Sequence, residues 1–247
     1  MTDIGYRFIP FGDTGLVVEF GDRIDRGVST RVLQLDRRIR AIRLPGVIEA
    51  TPTFRSLLIT FDPLSTDHDA LMAALPTYLE DDAPMSESAA VAKIWTFPVR
   101  YGGEEGPDLE GLSDEIGISG DSIIEIHQQT LHHVYMLGFL PGAPYLGDLP
   151  PNLNVPRLRA PRVAVPAGSV AIALGLTVIY PVQSPGGWRI IGKTPVPLFD
   201  VHQETPALLS PGDAIRFEAV SASTLKKVDK AAKAGAWSPK WELRENA

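Results

Sequence analysis

The 247-residue chain contains no cysteine, which excludes a disulfide framework, a thiol nucleophile and any Cys-ligated zinc or iron–sulfur centre. Long apolar runs are missing as well: no uninterrupted stretch approaches the roughly 18 residues of a membrane span. The opening Met-Thr-Asp-Ile-Gly-Tyr-Arg lacks the charged and apolar regions of a signal peptide. Basic charge is scarce, with 23 Lys and Arg against 30 Asp and Glu and a formal net charge of -7. No Lys/Arg cluster offsets it, which argues against nucleic-acid binding. These absences predict a cytoplasmic globular protein without a nucleic-acid or membrane partner.

Metal-binding patterns are lacking too. His68, His127, His132, His133 and His202 form neither H-E-x-x-H nor H-x-H, so no metal site is expected. Ser169 and Ser184 have no G-x-S-x-G elbow around them and read as turn residues. His132 and His133 read as solvated, near the start of a strand. His127 falls late on an amphipathic helix and is either a buried structural histidine or a catalytic acid/base.

What is present begins with 44% apolar residues, enough for one large or two small cores. Strand and helix signals alternate over the first eighty residues. Gly15 to Phe20 reads as a strand, and Val28, Val32, Leu35, Ile39 and Ile42 follow at helical spacing. Val47 to Ala50 and Leu57 to Phe61 read as strands, and Asp67 to Leu79 as a helix capped by Ser65 or Thr66. One further strand would complete a ferredoxin-like sheet covered on one face by two helices. An acidic, small-residue stretch from Glu80 to Lys93 reads as a linker. Trp95 to Val99 then starts a new strand. Leu109, Leu112 and Ile116 mark a short helix, and Ser119 caps another carrying Ile123, Ile126 and His127.

From Gly138 to Pro197 about a third of the residues are Gly or Pro. Short β-type runs at Val163–Val165, Val170–Ala173 and Thr177–Tyr180 predict a barrel or sandwich. Leu208 to Val220 closes it, with a turn at Ser210–Asp213, and Leu225 to Ala236 reads as a surface helix. The expected division is 1–85, 94–224 and a tail 225–247. The charged residues of Gly138–Pro197 are Asp148, Arg157, Arg159, Arg162, Arg189 and Lys193. That local positive balance suits an anionic ligand, or else it is a scatter of surface cations.

Gly187 to Thr194 satisfies the Walker A pattern G-x-x-x-x-G-K-[ST]. A phosphate loop needs small residues and a following helix. Trp188, Ile190 and Ile191 favour a strand instead, and Pro195 and Pro197 block the helix. Gly186 and Gly187 could present consecutive backbone N–H groups to an anion, and Tyr145, Tyr180 and Trp188 could wall a pocket.

Several motifs carry a family likeness: Tyr101-Gly102-Gly103, Gly106-Pro107-Asp108-Leu109, His127, Gly138-Phe139-Leu140-Pro141-Gly142 through Gly147, Pro161-Arg162, and Val165-Pro166-Ala167-Gly168-Ser169-Val170. Ile179-Tyr180-Pro181, Ser184-Pro185-Gly186-Gly187-Trp188 and Gly192-Lys193-Thr194-Pro195 extend it. With Phe11-Gly12-Asp13 and Pro52 to Leu58, the chain resembles the KipI family. Its members are also known as 5-oxoprolinase B subunits (PxpB) or as allophanate hydrolase subunit 1, and correspond to carboxyltransferase subdomains C and D. The resemblance implies an α+β protein: a small ferredoxin-like α/β domain followed by a cyclophilin-like β-barrel.

It also implies a KipA-like partner (the 5-oxoprolinase C subunit), a third chain (the A subunit), and ATP-dependent opening of 5-oxoproline to glutamate. ATP is then used by the complex and is not bound through Gly187–Thr194. The family's other settings are inhibition of a sensor histidine kinase and, with biotin, carboxyl transfer to urea or a similar amide. The site residues expected are His127 as acid/base, with Arg162 and Lys193 as anion contacts and Gly186 and Gly187 as backbone donors. Ser184 joins them in substrate binding, and Tyr145 and Trp188 are pocket walls. Departures from the family pattern occur at Leu174, Leu176 and Val178, where Gly, Gln and Gly are usual. Ala143 and His132 stand where Phe and Tyr are common.

Overall fold

In the computed structural model, which describes residues 5–79 and 92–244, the chain divides into two units, 1–91 and 92–247. The expected linker lies outside the described residues except for its end, where Lys93 already belongs to a strand.

In the first unit, alternating apolar residues make strands that bury one face. The elements are β1 (Arg7–Phe11), β2 (Gly15–Glu19), α1 (Arg26–Ile42), β3 (Val47–Pro52), β4 (Ser56–Phe61), α2 (His68–Ala74) and α3 (Pro76–Leu79). The sheet order is β1-β2-β4-β3, antiparallel throughout. Leu16, Val18, Leu57, Ile59 and Phe61 meet Val28, Val32, Leu35 and Ile39 of α1 in one buried cluster. Asp25 caps α1 by accepting from the Gly27 and Val28 N–H groups, relieving donors that the first turn leaves unpaired.

The further strand that completes the ferredoxin-like sheet is β1, a hairpin partner lying before β2. One expectation needs correction here. The helix expected over Asp67–Leu79 is capped by Asp67, whose Oδ1 accepts from the Ala70 N–H at 2.8 Å, and not by Ser65 or Thr66. Those two residues belong to a turn closed on Asp62. Pro76 has no N–H to donate and divides the helix into α2 and α3.

The second unit contains β5 (Lys93–Tyr101), α4 (Leu109–Ile116), α5 (Gly120–Gln129), β6 (His132–Leu137), β7 (Pro144–Gly147), a 3-10 turn at Pro151–Leu153, β8 (Arg162–Val165), β9 (Ser169–Ala173) and β10 (Leu176–Ile179). It continues through β11 (Ser184–Gly186), β12 (Arg189–Lys193), β13 (Ala214–Ala219), α6 (Ala222–Lys233) and β14 (Lys240–Leu243). Strands β12-β9-β10-β7-β6-β13-β5 pair in that order, and β12 returns to β5 to close a seven-stranded barrel. The nine-residue β5 makes closure possible. One of its edges is divided between β14, which pairs over Lys93–Thr96, and β12, which pairs at Arg100 and Tyr101. Strands β8 and β11 form a separate ribbon.

The barrel core takes Trp95, Phe97, Val99 and Tyr101 from β5, Val170 and Ile172 from β9, Ile215 and Phe217 from β13, and Leu109, Leu112 and Ile123 from α4 and α5. Side-chain caps start α5 and α6: Ser119 accepts from the Ser122 N–H, as expected, and Ser221 from the Thr224 N–H. The C-terminal helix begins at Ala222, and the segment after it joins the barrel sheet as β14. His132 and His133 are not solvated as the sequence suggests. Both are buried by what packs on the two faces of β6: His132 lies against the His127 and Phe217 rings, and His133 against the Tyr135 ring with its Nδ1 3.2 Å from Arg244 Nη1.

Gly187–Thr194 is not a loop leading into a helix. Its residues 189–193 are β12, with Lys193 opposite both Ser169 and Arg100. Gly192 is required there because a Cβ would lie 2.8 Å from the Arg100 carbonyl oxygen and the Val99 Cγ1. The family departure at Leu174 also has a plain location. Leu174 and Gly175, with φ of 54° and 74°, are the two-residue turn joining β9 to β10, a geometry that favours glycine. Leu176 is buried beside that turn.

Candidate functional site

Alternation along β7 and β10 puts successive side chains on opposite faces. Leu146 and Ile179 belong to the barrel core. Tyr145 and Val178, paired across the two strands, line a cavity of about 120 Å³ on the other face. Its remaining walls come from Phe139, Leu140, Ala143 and Pro144 on one side and from the Ile179–Pro181 and Pro185–Trp188 segments on the other, with Arg157 at the rim. Tyr145 meets Trp188 edge to face, with centroids 6.2 Å apart. The lining holds no carboxylate, imidazole, amine or aliphatic hydroxyl. Its ionisable groups are two phenols and one guanidinium.

Local chemistry explains the shape. Glycine suits position 186 because a Cβ there would press into the Tyr180 hydroxyl and ring. Burial raises the Tyr180 pKa, opposed by a hydrogen bond from the Trp188 backbone and by the nearby Arg157 and Arg162 charges. The Gly187 carbonyl accepts from the Leu158 N–H at 2.7 Å, and Arg189 Nε donates to the Pro156 carbonyl at 3.4 Å. The irregular 156–158 segment is thereby tied on both sides to 187–189, which holds the Arg157 guanidinium 5.3 Å from the centroid of the Trp188 ring.

Of the residues expected at a site, Tyr145, Gly186, Gly187 and Trp188 come together in this cavity. Ser184 does not line it; its side chain is buried on β11 beside Val165. Lys193 lies on β12, away from the lining. Gly186 is in register with Arg162 of β8, and the Gly187 carbonyl accepts a hydrogen bond from the neighbouring segment.

Arg162 is an ion-pair partner rather than a free anion contact. Its Nη2 lies 2.5 Å from Asp108 Oδ1, while Asp108 Oδ2 accepts from the Ile190 N–H at 2.6 Å. The carboxylate thus ties the entry to α4 to both β8 and β12.

His127 is sealed inside the barrel. Its Nδ1 is 2.7 Å from Tyr101 Oη and its Nε2 is 3.1 Å from Thr177 Oγ1. The ring stacks on Phe217 with centroids 4.7 Å apart. His132 Nε2 donates to the His127 carbonyl at 2.9 Å. Burial lowers the pKa of both histidines, that of His132 to about 4, and the His132 charge lowers that of His127 further. With both ring nitrogens occupied and no water access, His127 is placed as a core histidine and not as an acid/base at the cavity. Arg157 and Val178, by contrast, line the cavity without having stood among the expected site residues. Arg157 follows Pro156 in a segment with no periodicity, and only its membership of the cationic set of Gly138–Pro197 marked it.

The family described as carboxyltransferase domain, subdomain C and D, matches residues 6–209, which includes every wall of the cavity. The chain belongs to the family of 5-oxoprolinase B subunits. It is similar to the 5-oxoprolinase B subunit of Bacillus subtilis (strain 168), with 36% identity covering 88% of this chain and 94% of that protein. It is 38% identical to the 5-oxoprolinase B subunit of Escherichia coli O157:H7, over 83% of this chain and 92% of that one. Among solved structures, the urea carboxylase of Kluyveromyces lactis superposes with a TM-score of 0.81 at 21% identity, covering 99% of this chain and 24% of that much longer one. That likeness is one of fold. Of the motifs that carry the family resemblance, Gly138–Gly147, Ile179–Pro181 and Ser184–Trp188 supply nearly all of the cavity walls.

Proposed function

We propose that the chain is the B subunit of an ATP-dependent 5-oxoprolinase, a complex that opens 5-oxoproline to glutamate, and that its cavity helps hold the substrate while partner subunits supply the reactive groups. The observation that carries this reading is the end-to-end likeness to 5-oxoprolinase B subunits, with the family motifs converging on one small cavity. A cavity of about 120 Å³ is well below the roughly 300–1,000 Å³ typical of pockets for larger ligands, and suits a molecule the size of a single amino acid. Its lining offers surfaces and donors but no carboxylate, imidazole, amine or aliphatic hydroxyl to serve as nucleophile or general base. The B subunit therefore grips, and a KipA-like C subunit together with an A subunit completes the chemistry.

The nucleotide has no place at Gly187–Thr194, where a strand locked between two neighbours lacks the loop and helix terminus that phosphates need. ATP is assigned to another chain of the complex. Reconstitution with the cognate A and C subunits is expected to give 5-oxoproline-dependent ATP hydrolysis and glutamate release that disappear when this chain is omitted. Full turnover without it would overturn the proposal. The match to a carboxyltransferase family supports a second reading, a component that moves a carboxyl group to an amide. A biotin carrier protein co-purifying in place of the A subunit would select it.

A further inference from the structure

We propose that Arg157 is the specificity-determining residue of the cavity, reading the carboxylate of a small, flat cyclic substrate that lies against the aromatic walls. This rests on the proposed function and adds to it the group that distinguishes 5-oxoproline from an uncharged lactam.

Four arginines lie on the segments around the cavity; Arg159 is exposed and does not line it, and two others are neutralised. Arg162 is paired with Asp108 at 2.5 Å and Arg189 with Glu115 at 2.7 Å. Arg157 has no hydrogen-bond or ion-pair partner among the described residues, and it is the one charged residue of the lining. An exposed arginine without a carboxylate is ordinary; one fixed over an indole at a cavity rim is not. The Leu158 N–H and the Arg189 Nε anchor the backbone on either side of it, and Trp188 holds the guanidinium by cation–π attraction. Attraction to the ring occupies the face of the cation and leaves its edge N–H groups available, the geometry a carboxylate accepts in pairs. The Tyr180 hydroxyl lies close enough to sense the Arg157 charge. Tyr145, Tyr180 and Trp188, with Pro144, Pro181 and Pro185, give flat apolar walls for a five-membered ring. A ring seated on these walls with its carboxylate at Arg157 leaves its amide bond for groups outside this chain.

The test uses the reconstituted complex and, separately, the full chain alone. In the complex, Arg157→Gln is expected to raise KM for 5-oxoproline roughly ten- to a hundredfold, the range for losing a charge-assisted hydrogen bond, with kcat near the wild-type value and partial recovery in Arg157→Lys. The wild type should bind 5-oxoproline far better than uncharged 2-pyrrolidinone, and the glutamine variant should lose that preference. An unchanged KM, or a preference that survives the substitution, overturns the assignment. For the isolated chain, the Trp188 indole N–H resonance is titrated with 5-oxoproline, 2-pyrrolidinone and acetate. A shift with 5-oxoproline in the wild type, absent in Arg157→Gln, supports the carboxylate site even where the complex does not turn over, which would count against the proposed function alone. A response to acetate equal to that for 5-oxoproline, or none to 5-oxoproline, counts against the site. Because Arg157 is exposed and pairs with no carboxylate, the variants are expected to melt with the wild type.

Discussion

Gly186 and Leu174 show how much a single backbone position can constrain. At Gly186 a methyl group has no room beside the Tyr180 ring, so Gly186→Ala must displace either the ring or the β11 ribbon. Such overpacking costs about 1–3 kcal/mol, and the variant is expected to lower the urea midpoint and to weaken 5-oxoproline binding at the same time. Leu174 makes the opposite case. Its φ of 54° strains a residue with a Cβ, and its side chain is half exposed. Leu174→Gly is expected to stabilise the chain by about 1 kcal/mol, read as a higher urea midpoint at unchanged slope. The family departure at this position thus concerns a turn, while only Val178 of the three departures lines the cavity.

At the scale of elements, Asp108 joins α4 to the barrel. Asp108→Asn leaves Arg162 without its counter-charge and weakens the bond to Ile190, and the expected loss is on the order of 2–4 kcal/mol, measured by urea unfolding. The histidine pair between α5 and β6 gives the barrel a pH dependence of defined sign. Both histidines are held neutral in the folded state, whereas in the unfolded chain they protonate near pH 6.5. Their contribution is complete above that pH and is lost as the pH falls toward 4, at up to about 1.4 kcal/mol per pH unit for each. His132→Gln is expected to flatten the fall in stability between pH 6.5 and pH 4 by one proton's worth.

The same elements show what was legible in the sequence. Helices α1, α4 and α5 carry apolar residues at helical spacing, and Ser119 marks the start of α5, because a helix satisfies its needs locally. Strands β1, β7 and β14 were missed. Pro10 interrupts the first, β7 is four residues long, and β14 is exposed along its length, so none shows a buried alternation. In β6 two histidines hid a buried strand, since what makes His132 tolerable is its place against His127 and Phe217, assembled from distant segments. The cavity walls Tyr145, Gly186, Gly187 and Trp188 were legible through motif likeness. Arg157 was not, because a hydrogen bond from its neighbour Leu158 to Gly187, far along the chain, sets its position.

For the whole molecule, the two hydrophobic clusters share no residue, so a chain of residues 92–247 is expected to fold alone with a single cooperative thermal transition. β14 lies outside the closed ring, where Lys93 is sandwiched between Trp95 and Trp241 at 5.2 and 4.6 Å. Deleting residues 238–247 is therefore expected to leave the barrel intact while uncovering the edge of β5, which should increase self-association in sedimentation experiments.

The barrel is zipped unevenly. β5 and β13 are in register over six residue pairs, whereas β5 and β12 meet over two, Gly192 with Tyr101 and Lys193 with Arg100. If the cylinder breathes, this seam parts before the longer one, and its amide protons are expected to exchange with deuterium ahead of those between β5 and β13. The Gly-Lys pair that imitates a nucleotide loop is then the clasp of the cylinder, and its glycine is what lets the clasp shut.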